Sequence, residues 1–323
     1  MKAVIPVALR FLIVAIIPYF LGLAVLGHAD EKSFVRFAYQ DRIGSALSII
    51  SVNKGFFLEE GLHIRPMRFS SGPACAEALF SGAADIGEMG DTAAIIITAR
   101  SNKFVIIASN AAGEHRHRIM VGKESGISTL NDLKGKRIGV KKGTSTYGGL
   151  LNALAKANIS PTDIDIIDLA PPIMTDALMI GSLDAFAASE PTPSAAQQKG
   201  ARTLTTFGGL GNEYPLLILA NGAILQRQPD VVEKFLRAMK KAERYVANNS
   251  EEAMQIITSE TGLPLAITQM AMARHQFLLR LDSQIISSLE QTARFLKEQT
   301  IISELPDFAI AAKPDLLNTI SME

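Results

Sequence analysis

Two stretches of the chain, residues 78–86 and 177–185, follow one pattern of residue types. Each reads as the end of a helix, a glycine that stops it, and an aspartate that leads into a buried strand. The similarity extends upstream, because residues 36–39 and 137–140 are short apolar strands that each lead into a polar loop and a helix. The chain therefore contains two similar α/β units. Loops at equivalent strand ends of two such units can face each other across a cleft, the plan of a binding protein that closes about a hinge.

The length of 323 residues fits two domains of about 100–200 residues each, and a hydrophobic fraction of 48% suffices for two cores. The expected fold class is α/β: two lobes, each a doubly wound sheet flanked by helices, with a helical C-terminal tail. We expect residues 30–111 and 220–323 to form lobe I and residues 112–219 to form lobe II, with 216–220 as the last strand of lobe II. From Pro229 onward, apolar residues recur at three and four positions, which predicts helices that pack back on lobe I.

The first 29 residues have the pattern of a secretory signal peptide. Two basic residues, Lys2 and Arg10, precede an apolar run over residues 11–26, and a small-x-small motif at 27–29 precedes Asp30. The alternative is an uncleaved membrane anchor, although a run of this length broken by Pro18 is short for a span of about 20 residues. The sequence thus predicts a periplasmic protein, or else one anchored to the membrane and facing the periplasm.

Charge and composition exclude several kinds of partner. The chain has 32 basic and 32 acidic residues, and removal of the leader takes away only basic ones, so no footprint for nucleic acid is expected. A lone Cys75 forms neither an internal disulfide nor a thiolate metal cage. His115 and His117 would share one face of a strand, but no further metal ligand lies nearby, and we interpret residues 114–118 as a solvated crossover between lobes. No metal, cofactor or nucleotide-hydrolysis motif is indicated.

Four loops are expected to meet in the cleft, because ligands of open α/β sheets lie beyond the carboxyl ends of the strands. These loops are residues 40–45 and 70–73 from lobe I, and 143–146 and 170–173 from lobe II. Hydroxyl and glycine residues at helix starts favour an anionic or strongly polar ligand. The three hydroxyls of residues 144–146 fit either an anion site or plain N-capping, and both interpretations stay open.

Glu190 follows a predicted strand and is held by flanking prolines. We expect its carboxylate to face the cleft, where it would pair with a ligand amine or with Arg42. The alternative is an exposed loop acid. Four aromatic residues at strand ends or loop starts are candidates to flank a ring, although most aromatic residues at such positions belong to the core: Tyr39, Phe69, Tyr147 and Tyr214.

Motifs in both units resemble the nitrate/sulfonate/taurine and thiamine-precursor group of ABC-importer substrate-binding proteins. They are residues 55–62, the Glu-Ala-Leu at 77–79 with Gly82-x-x-Asp85-Ile86, and residues 129–140 followed by Gly143-Thr144. The resemblance covers about residues 34 to 260. It implies a periplasmic-binding fold of the second type with two hinge crossings, working as a monomer with a separate permease and ATPase.

Carried over by position, the resemblance adds Asp91 and Thr92 to the loop residues and Glu190. The expected ligand-binding residues are then Gln40, Arg42, Ser45, Ser70, Ser71, Gly72, Asp91, Thr92, Gly143, Thr144, Ser145, Thr146, Pro172 and Glu190. Helix starts favour a sulfonate, nitrate or carboxylate, whereas Glu190 and the aromatic residues would suit an amino-pyrimidine or another nitrogen heterocycle, and the sequence does not choose between them. A thiamine-pyrimidine synthase-like enzyme on the same fold is disfavoured, because such enzymes carry a cysteine-rich segment that Cys75 alone does not supply. We therefore expect a binding protein and not an enzyme.

Overall fold

The structure is a computed structural model that describes residues 34–320. The predicted signal peptide over residues 1–29 and its cleavage site lie outside the described residues. Within residues 34–320, no helix has both the length and the apolar character needed to cross a membrane.

Ten strands form two five-stranded sheets with equivalent strand orders. The first sheet is ordered β2-β1-β3-β10-β4 and the second β7-β6-β8-β5-β9, and in each the strand in fourth place runs antiparallel to its neighbours. The two sheets confirm the expected pair of doubly wound lobes. Their strands are β1 Val35–Gln40, β2 Ile64–Phe69, β3 Ile86–Gly90, β4 Phe104–Ala111, β5 His117–Val121, β6 Arg137–Val140, β7 Asp165–Asp168, β8 Ala185–Ser189, β9 Arg202–Thr206 and β10 Leu216–Asn221.

The repeated sequence pattern builds the same ion pair at the base of each sheet. In lobe I, the carboxylate of Asp85 accepts hydrogen bonds from the backbone and the guanidinium of Arg36, with Nη2 to Oδ1 at 2.6 Å. In lobe II, Asp184 binds the backbone and guanidinium of Arg137 in the same way, with Nη2 to Oδ1 at 3.1 Å. The glycine three residues before each aspartate has a positive φ, which is +76° for Gly82 and +74° for Gly181. Each glycine turns the chain out of its helix so that the aspartate reaches the neighbouring strand.

Helices cover both faces of each sheet. In lobe I, helices α1, α2 and α9 bury one face and α4 and α12 the other. In lobe II, α5 covers one face and α6 and α7 the other. The helices are α1 Ala46–Asn53, preceded by the 3-10 turn Ile43–Ser45, α2 Phe56–Glu59, α3 Gly72–Phe80, α4 Asp91–Arg100, α5 Ser145–Lys156, α6 Pro171–Met179, α7 Thr192–Gln198, α8 Gly222–Arg227, α9 Pro229–Asn248, α10 Ser250–Thr261, α11 Leu265–Met272, α12 Ser283–Glu298, α13 Phe308–Ala311 and α14 Asp315–Asn318.

The helical tail packs on lobe I, as its periodicity predicts. The apolar stripe of α9 lies against α1 and α2, where Phe235 contacts Phe37 edge to face at 4.9 Å between ring centroids. Further along, Arg280 and Ala312 form isolated bridges to β4, and Gln276 forms one to Ala112 just after it. Because β4 is the edge strand of its sheet, these segments cover backbone groups that would otherwise be unpaired.

The expected end of lobe II is wrong. Strand β10, which we placed in lobe II up to residue 219, pairs with β3 and β4 in the first sheet. The chain therefore returns to lobe I over residues 207–215, and the expected boundary falls inside a strand. A buried apolar strand has the same composition in either sheet, so only its pairing partners decide where it belongs.

Two local predictions also differ from the structure. Helix α6 begins at Pro171, although we expected the two prolines at 171–172 to form a loop before a helix from Met174. Proline fits the first turn of a helix, because the backbone N–H that it lacks has no partner there. Helix α7 and the half-buried polar strand β9 have no apolar periodicity that would reveal them.

Candidate functional site

A cleft lies between the two lobes, and helix starts from both lobes line it. It encloses about 660 Å³ including the solvent at its mouth, and about 50 Å³ of this is open to the centre of a water molecule. One water needs about 10–15 Å³ by that measure, so the enclosed part has room for a small polar group. The lining residues are Gln40, Arg42, Gly44, Ser45, Ser71, Gly72, Pro73, Gly90, Ala93, Arg116, His117, Lys141, Thr144, Ser145, Thr146, Pro171, Met174, Ala187, Ala188, Ser189, Glu190 and Leu216.

All four expected loops contribute to this lining, two from each lobe. The expected residues that line the cleft are Gln40, Arg42, Ser45, Ser71, Gly72, Thr144, Ser145, Thr146 and Glu190. They come together because the 3-10 turn before α1 and the first turns of α3, α5 and α6 all point toward the gap between the lobes. The starts of α3 and α5 carry backbone N–H groups without intrahelical partners and favour an anionic group, whereas α6 begins with two prolines, which have no N–H.

The other five expected residues lie outside the lining. Ser70 and Pro172 are exposed, and Pro171 takes the place that we expected for its neighbour. Gly143 has a φ of +74°, and a Cβ there would lie 3.6 Å from Pro73 Cγ at the rim.

Asp91 and Thr92 are buried behind the cleft wall at the start of α4. Asp91 accepts hydrogen bonds from the backbone N–H of Thr92 at 2.6 Å and from Asn212 Nδ2 at 2.9 Å. This carboxylate is therefore occupied within the protein and faces away from the cleft.

Two arginines in the cleft bond to backbone carbonyls and not to carboxylates. Arg42 from lobe I donates across the cleft to the carbonyls of Ser189 and Glu190 in lobe II, at 3.0 and 3.2 Å. Arg116, 4% exposed, donates to the carbonyl of Tyr214 at 2.6 Å, and its Nε has no partner among the described residues. Burial lowers the pKa of each guanidinium to about 10, so both stay charged at neutral pH. Neither positive charge forms an ion pair within residues 34–320, which suits an anion in the cleft.

Glu190 is already neutralised within lobe II. Its carboxylate lies 2.5 Å from Arg118 Nη2 and accepts the backbone N–H of Ser194 at 3.3 Å, and both charged side chains are at most 1% exposed. Arg274 approaches the same carboxylate at 3.6 Å. The expectation that Glu190 pairs with Arg42 through its carboxylate is wrong, because Arg42 donates to the backbone carbonyl of Glu190 and the carboxylate pairs with Arg118. The alternative of an exposed loop acid is wrong as well.

The hydroxyls that line the cleft divide into occupied and free groups. Ser45 donates to Glu88, a fully buried carboxyl that also accepts from Ser48 and from Asn110. Burial raises the pKa of Glu88, although these hydrogen bonds act in the opposite direction.

Thr144 is occupied as an N-cap. Its hydroxyl donates to the carbonyl of Lys141 at 2.6 Å and accepts the backbone N–H of Tyr147 at 3.3 Å. By contrast, the hydroxyls of Ser71 and Ser145 form no hydrogen bond with any described residue, and they face the cleft from opposite lobes. These two are the hydroxyls best placed to donate to a ligand.

Arg116, His117 and Lys141 line the cleft but were not among the expected residues. We interpreted residues 114–118 as a solvated crossover, and this is wrong for all but the first two residues, since Arg116, His117 and Arg118 are buried. Alternating charged residues at a crossing resemble a solvated segment in sequence. Their burial depends on the second lobe folding over them, which no local signal reports.

Aromatic side chains contribute little to the cleft. Tyr39 and Tyr214 are buried in the two cores, and among the described lining residues His117 has the only aromatic ring. Cys75 lies on the buried face of α3, as expected of a plain core thiol. Within residues 34–320, no group of three or more His, Cys, Asp or Glu side chains is arranged to hold a metal ion.

Comparison with known proteins gives consistent results. A family model described as NMT1/THI5 like matches residues 45–253. The chain is 28% identical over 275 residues to a putative aliphatic sulfonates-binding protein of Bacillus subtilis (strain 168), covering 83% of this chain and 82% of that protein. It is 25% identical over 293 residues to the taurine-binding periplasmic protein of Escherichia coli (strain K12), covering 86% of this chain and 90% of that protein.

A solved structure has the same architecture. The alkanesulfonate-binding protein SsuA from Xanthomonas axonopodis pv. citri, bound to MOPS, matches with a TM-score of 0.80 at 25% identity, over 86% of this chain and 97% of that one. This likeness confirms the two-lobed periplasmic-binding fold. These three proteins are named as binding proteins, in agreement with the expected solute-binding function.

Proposed function

The chain belongs to the family described as NMT1/THI5 like, and from that premise we propose that it is the extracytoplasmic solute-binding component of an ABC importer. Its ligand is a small organic anion of the sulfonate type, held in the cleft between the lobes. The two relatives named for sulfonate and taurine binding support this assignment. Its partners are a permease and an ATPase, and it acts as a monomer in the periplasm after removal of its leader.

The observation that carries this proposal is that two arginines of the cleft form no ion pair with a described residue, although the carboxylates of Asp91 and Glu190 act on them at longer range. Arg42 and Arg116 are both partly or fully desolvated there and bond only to carbonyls. Among the described lining residues Glu190 is the only acid, and Arg118 neutralises it. A desolvated charge is stabilised by a direct partner, so a bound anion in the cleft would supply one to both guanidinium groups. Free hydroxyls at Ser71 and Ser145 add donors of the kind that sulfonate oxygens accept.

The same features disfavour the heterocycle alternative. An amino-pyrimidine needs aromatic faces to stack on and an acceptor for its amino group. The carboxylate that we expected to fill the second role is occupied by Arg118. The lining offers one small ring, that of His117, and that ring already packs against Tyr214.

Calorimetric titration of the leaderless protein with ethanesulfonate, taurine, nitrate, propionate and an amino-pyrimidine tests the proposal. We expect the sulfonates to bind. Arg116→Gln should lower their affinity by about tenfold to a hundredfold, because a hydrogen bond to a charged group is lost. Arg100→Gln is the matched control, because Arg100 is exposed at the far end of α4. Binding of the pyrimidine alone, or sulfonate affinity that is unchanged in folded Arg116→Gln, would contradict the proposal.

A further inference from the structure

One ring nitrogen of His117 is buried without a partner. His117 is 2% exposed and lines the cleft, and its Nδ1 lies 2.8 Å from the hydroxyl oxygen of Thr146. Its Nε2 has no hydrogen-bond partner among the described residues. Buried polar atoms are nearly always paired, so this nitrogen points to a group that enters the site.

The contacts of the ring show which polar atom is left for a ligand. One face lies against Tyr214, with 4.7 Å between ring centroids, and Phe207 stacks further out at 6.3 Å. The Nδ1 edge is held by Thr146 on α5. The other nitrogen, Nε2, is the polar atom that the ring has left to offer a ligand in the cavity that His117 lines.

The surroundings keep the ring neutral. Burial and the positive charges of Arg116 and Arg42, together with His275, hold the pKa of His117 well below its ordinary range. A neutral imidazole has one N–H and one lone pair, and the partner of one nitrogen decides which is which. A hydroxyl donating to Nδ1 leaves the proton on Nε2, whereas the opposite tautomer would direct a lone pair at an incoming anion.

We propose that neutral His117 donates its Nε2–H to the acid group of the ligand, and that Thr146 is the positioning residue that holds this tautomer. The proposal rests on the proposed function, because it needs an anionic ligand in this cleft. It also changes the role of Thr146, which we expected from the sequence to contact the ligand directly. In this arrangement Thr146 acts through the histidine.

Nitrogen-15 NMR of the leaderless protein with labelled histidine reads the tautomer directly. We expect His117 to be protonated at Nε2 only, from pH 5.5 to 8, both free and with saturating ethanesulfonate. In Thr146→Val the proton should redistribute to Nδ1, and Thr146→Ser should restore the wild-type pattern. A proton on Nδ1 in the wild type, or a doubly protonated ring in the complex, would overturn the proposal.

Titration with ethanesulfonate gives a second readout. Thr146→Val and His117→Asn should each weaken binding by about tenfold to a hundredfold, and Thr146→Ser should bind like the wild type. Wild-type affinity should change less than about twofold between pH 5.5 and 8, whereas an imidazolium donor would bind more tightly at the acid end. The His275→Asn variant tests the other buried ring nearby, and the flat pH profile should persist in it.

The matched control is a second histidine–threonine pair close by. His115 Nδ1 lies 3.0 Å from the hydroxyl of Thr206, but its side chain is 60% exposed and outside the cleft lining. His115→Asn and Thr206→Val should leave affinity unchanged. If the wild type binds no sulfonate, the proposed function fails; if it binds and Thr146→Val keeps full affinity, only the present proposal fails.

Discussion

Replacing Glu190 with glutamine should destabilise the protein strongly and leave ligand selectivity unchanged. The carboxylate and the Arg118 guanidinium are 2.5 Å apart and almost completely buried. Removing one partner of such a pair leaves the other charge buried without compensation, at a cost of about 3–5 kcal/mol. At an unfolding entropy of about 2.1 cal/mol/K per residue, each kcal/mol lowers the melting temperature of a chain of this size by roughly 1.6 °C, so a decrease of at least about 5 °C is expected.

Urea denaturation followed by circular dichroism measures the loss of unfolding free energy. Glu124→Gln, at an exposed turn, is the matched control and should stay within about 0.5 kcal/mol of the wild type. Adding Arg118→Met to Glu190→Gln should recover part of the loss, because the double variant removes both charges.

The competing interpretation is that Glu190 binds a ligand amine. It predicts that Glu190→Gln loses taurine, which carries an ammonium group, while retaining ethanesulfonate, which does not. Unchanged stability together with that selective loss of taurine would refute the buried-pair interpretation.

Three further predictions concern the carboxyl beneath the cleft, the N-cap of α5 and the contact between lobes. Burial raises the pKa of Glu88, so the stability that its protonated form contributes is present below the unfolded-state pKa. This contribution is lost as the pH rises through the folded-state pKa. The unfolding free energy, measured by denaturation across pH, should therefore fall less above pH 4.5 in Glu88→Gln than in the wild type. Thr144→Ala should lose about 1 kcal/mol of stability with unchanged sulfonate affinity in calorimetry, since its hydroxyl is occupied in capping, and a loss of affinity would indicate ligand contact. A Cβ at Gly90 would overlap Ser145 Oγ across the lobes, so Gly90→Ala should hinder closure of the cleft. In X-ray scattering, ligand should reduce the radius of gyration of the wild type more than that of the variant. An equal decrease in both proteins would contradict this.

The sequence locates the cleft because its signals are local. A strand, a glycine or hydroxyl residue and a helix start follow one another within a few residues, and four such loops meet wherever two doubly wound sheets face each other. The Asp85 and Asp184 turns are local in the same way, and both form as the repeat suggests.

What the sequence does not provide is the pairing of distant groups. Glu190 and Arg118 are 72 residues apart, and nothing near either residue shows that they neutralise each other. The burial of Arg116 and His117 depends on the fold of the lobe that follows them. Strand β10 likewise has ordinary apolar composition, and only its hydrogen bonds to β3 and β4 assign it to lobe I.

The place of β10 between β3 and β4 fixes an order of assembly. The five strands of lobe II are consecutive in the chain, so that sheet has all its strands once Thr206 has been synthesised. The lobe I sheet lacks an inner strand until Leu216–Asn221 follows, and until then β3 and β4 have no backbone partner between them. A growing chain thus carries an unfinished sheet with open edges while its second lobe is completed. Open edges are where chains associate wrongly, so the interval before β10 is added is when this protein most needs protection from aggregation.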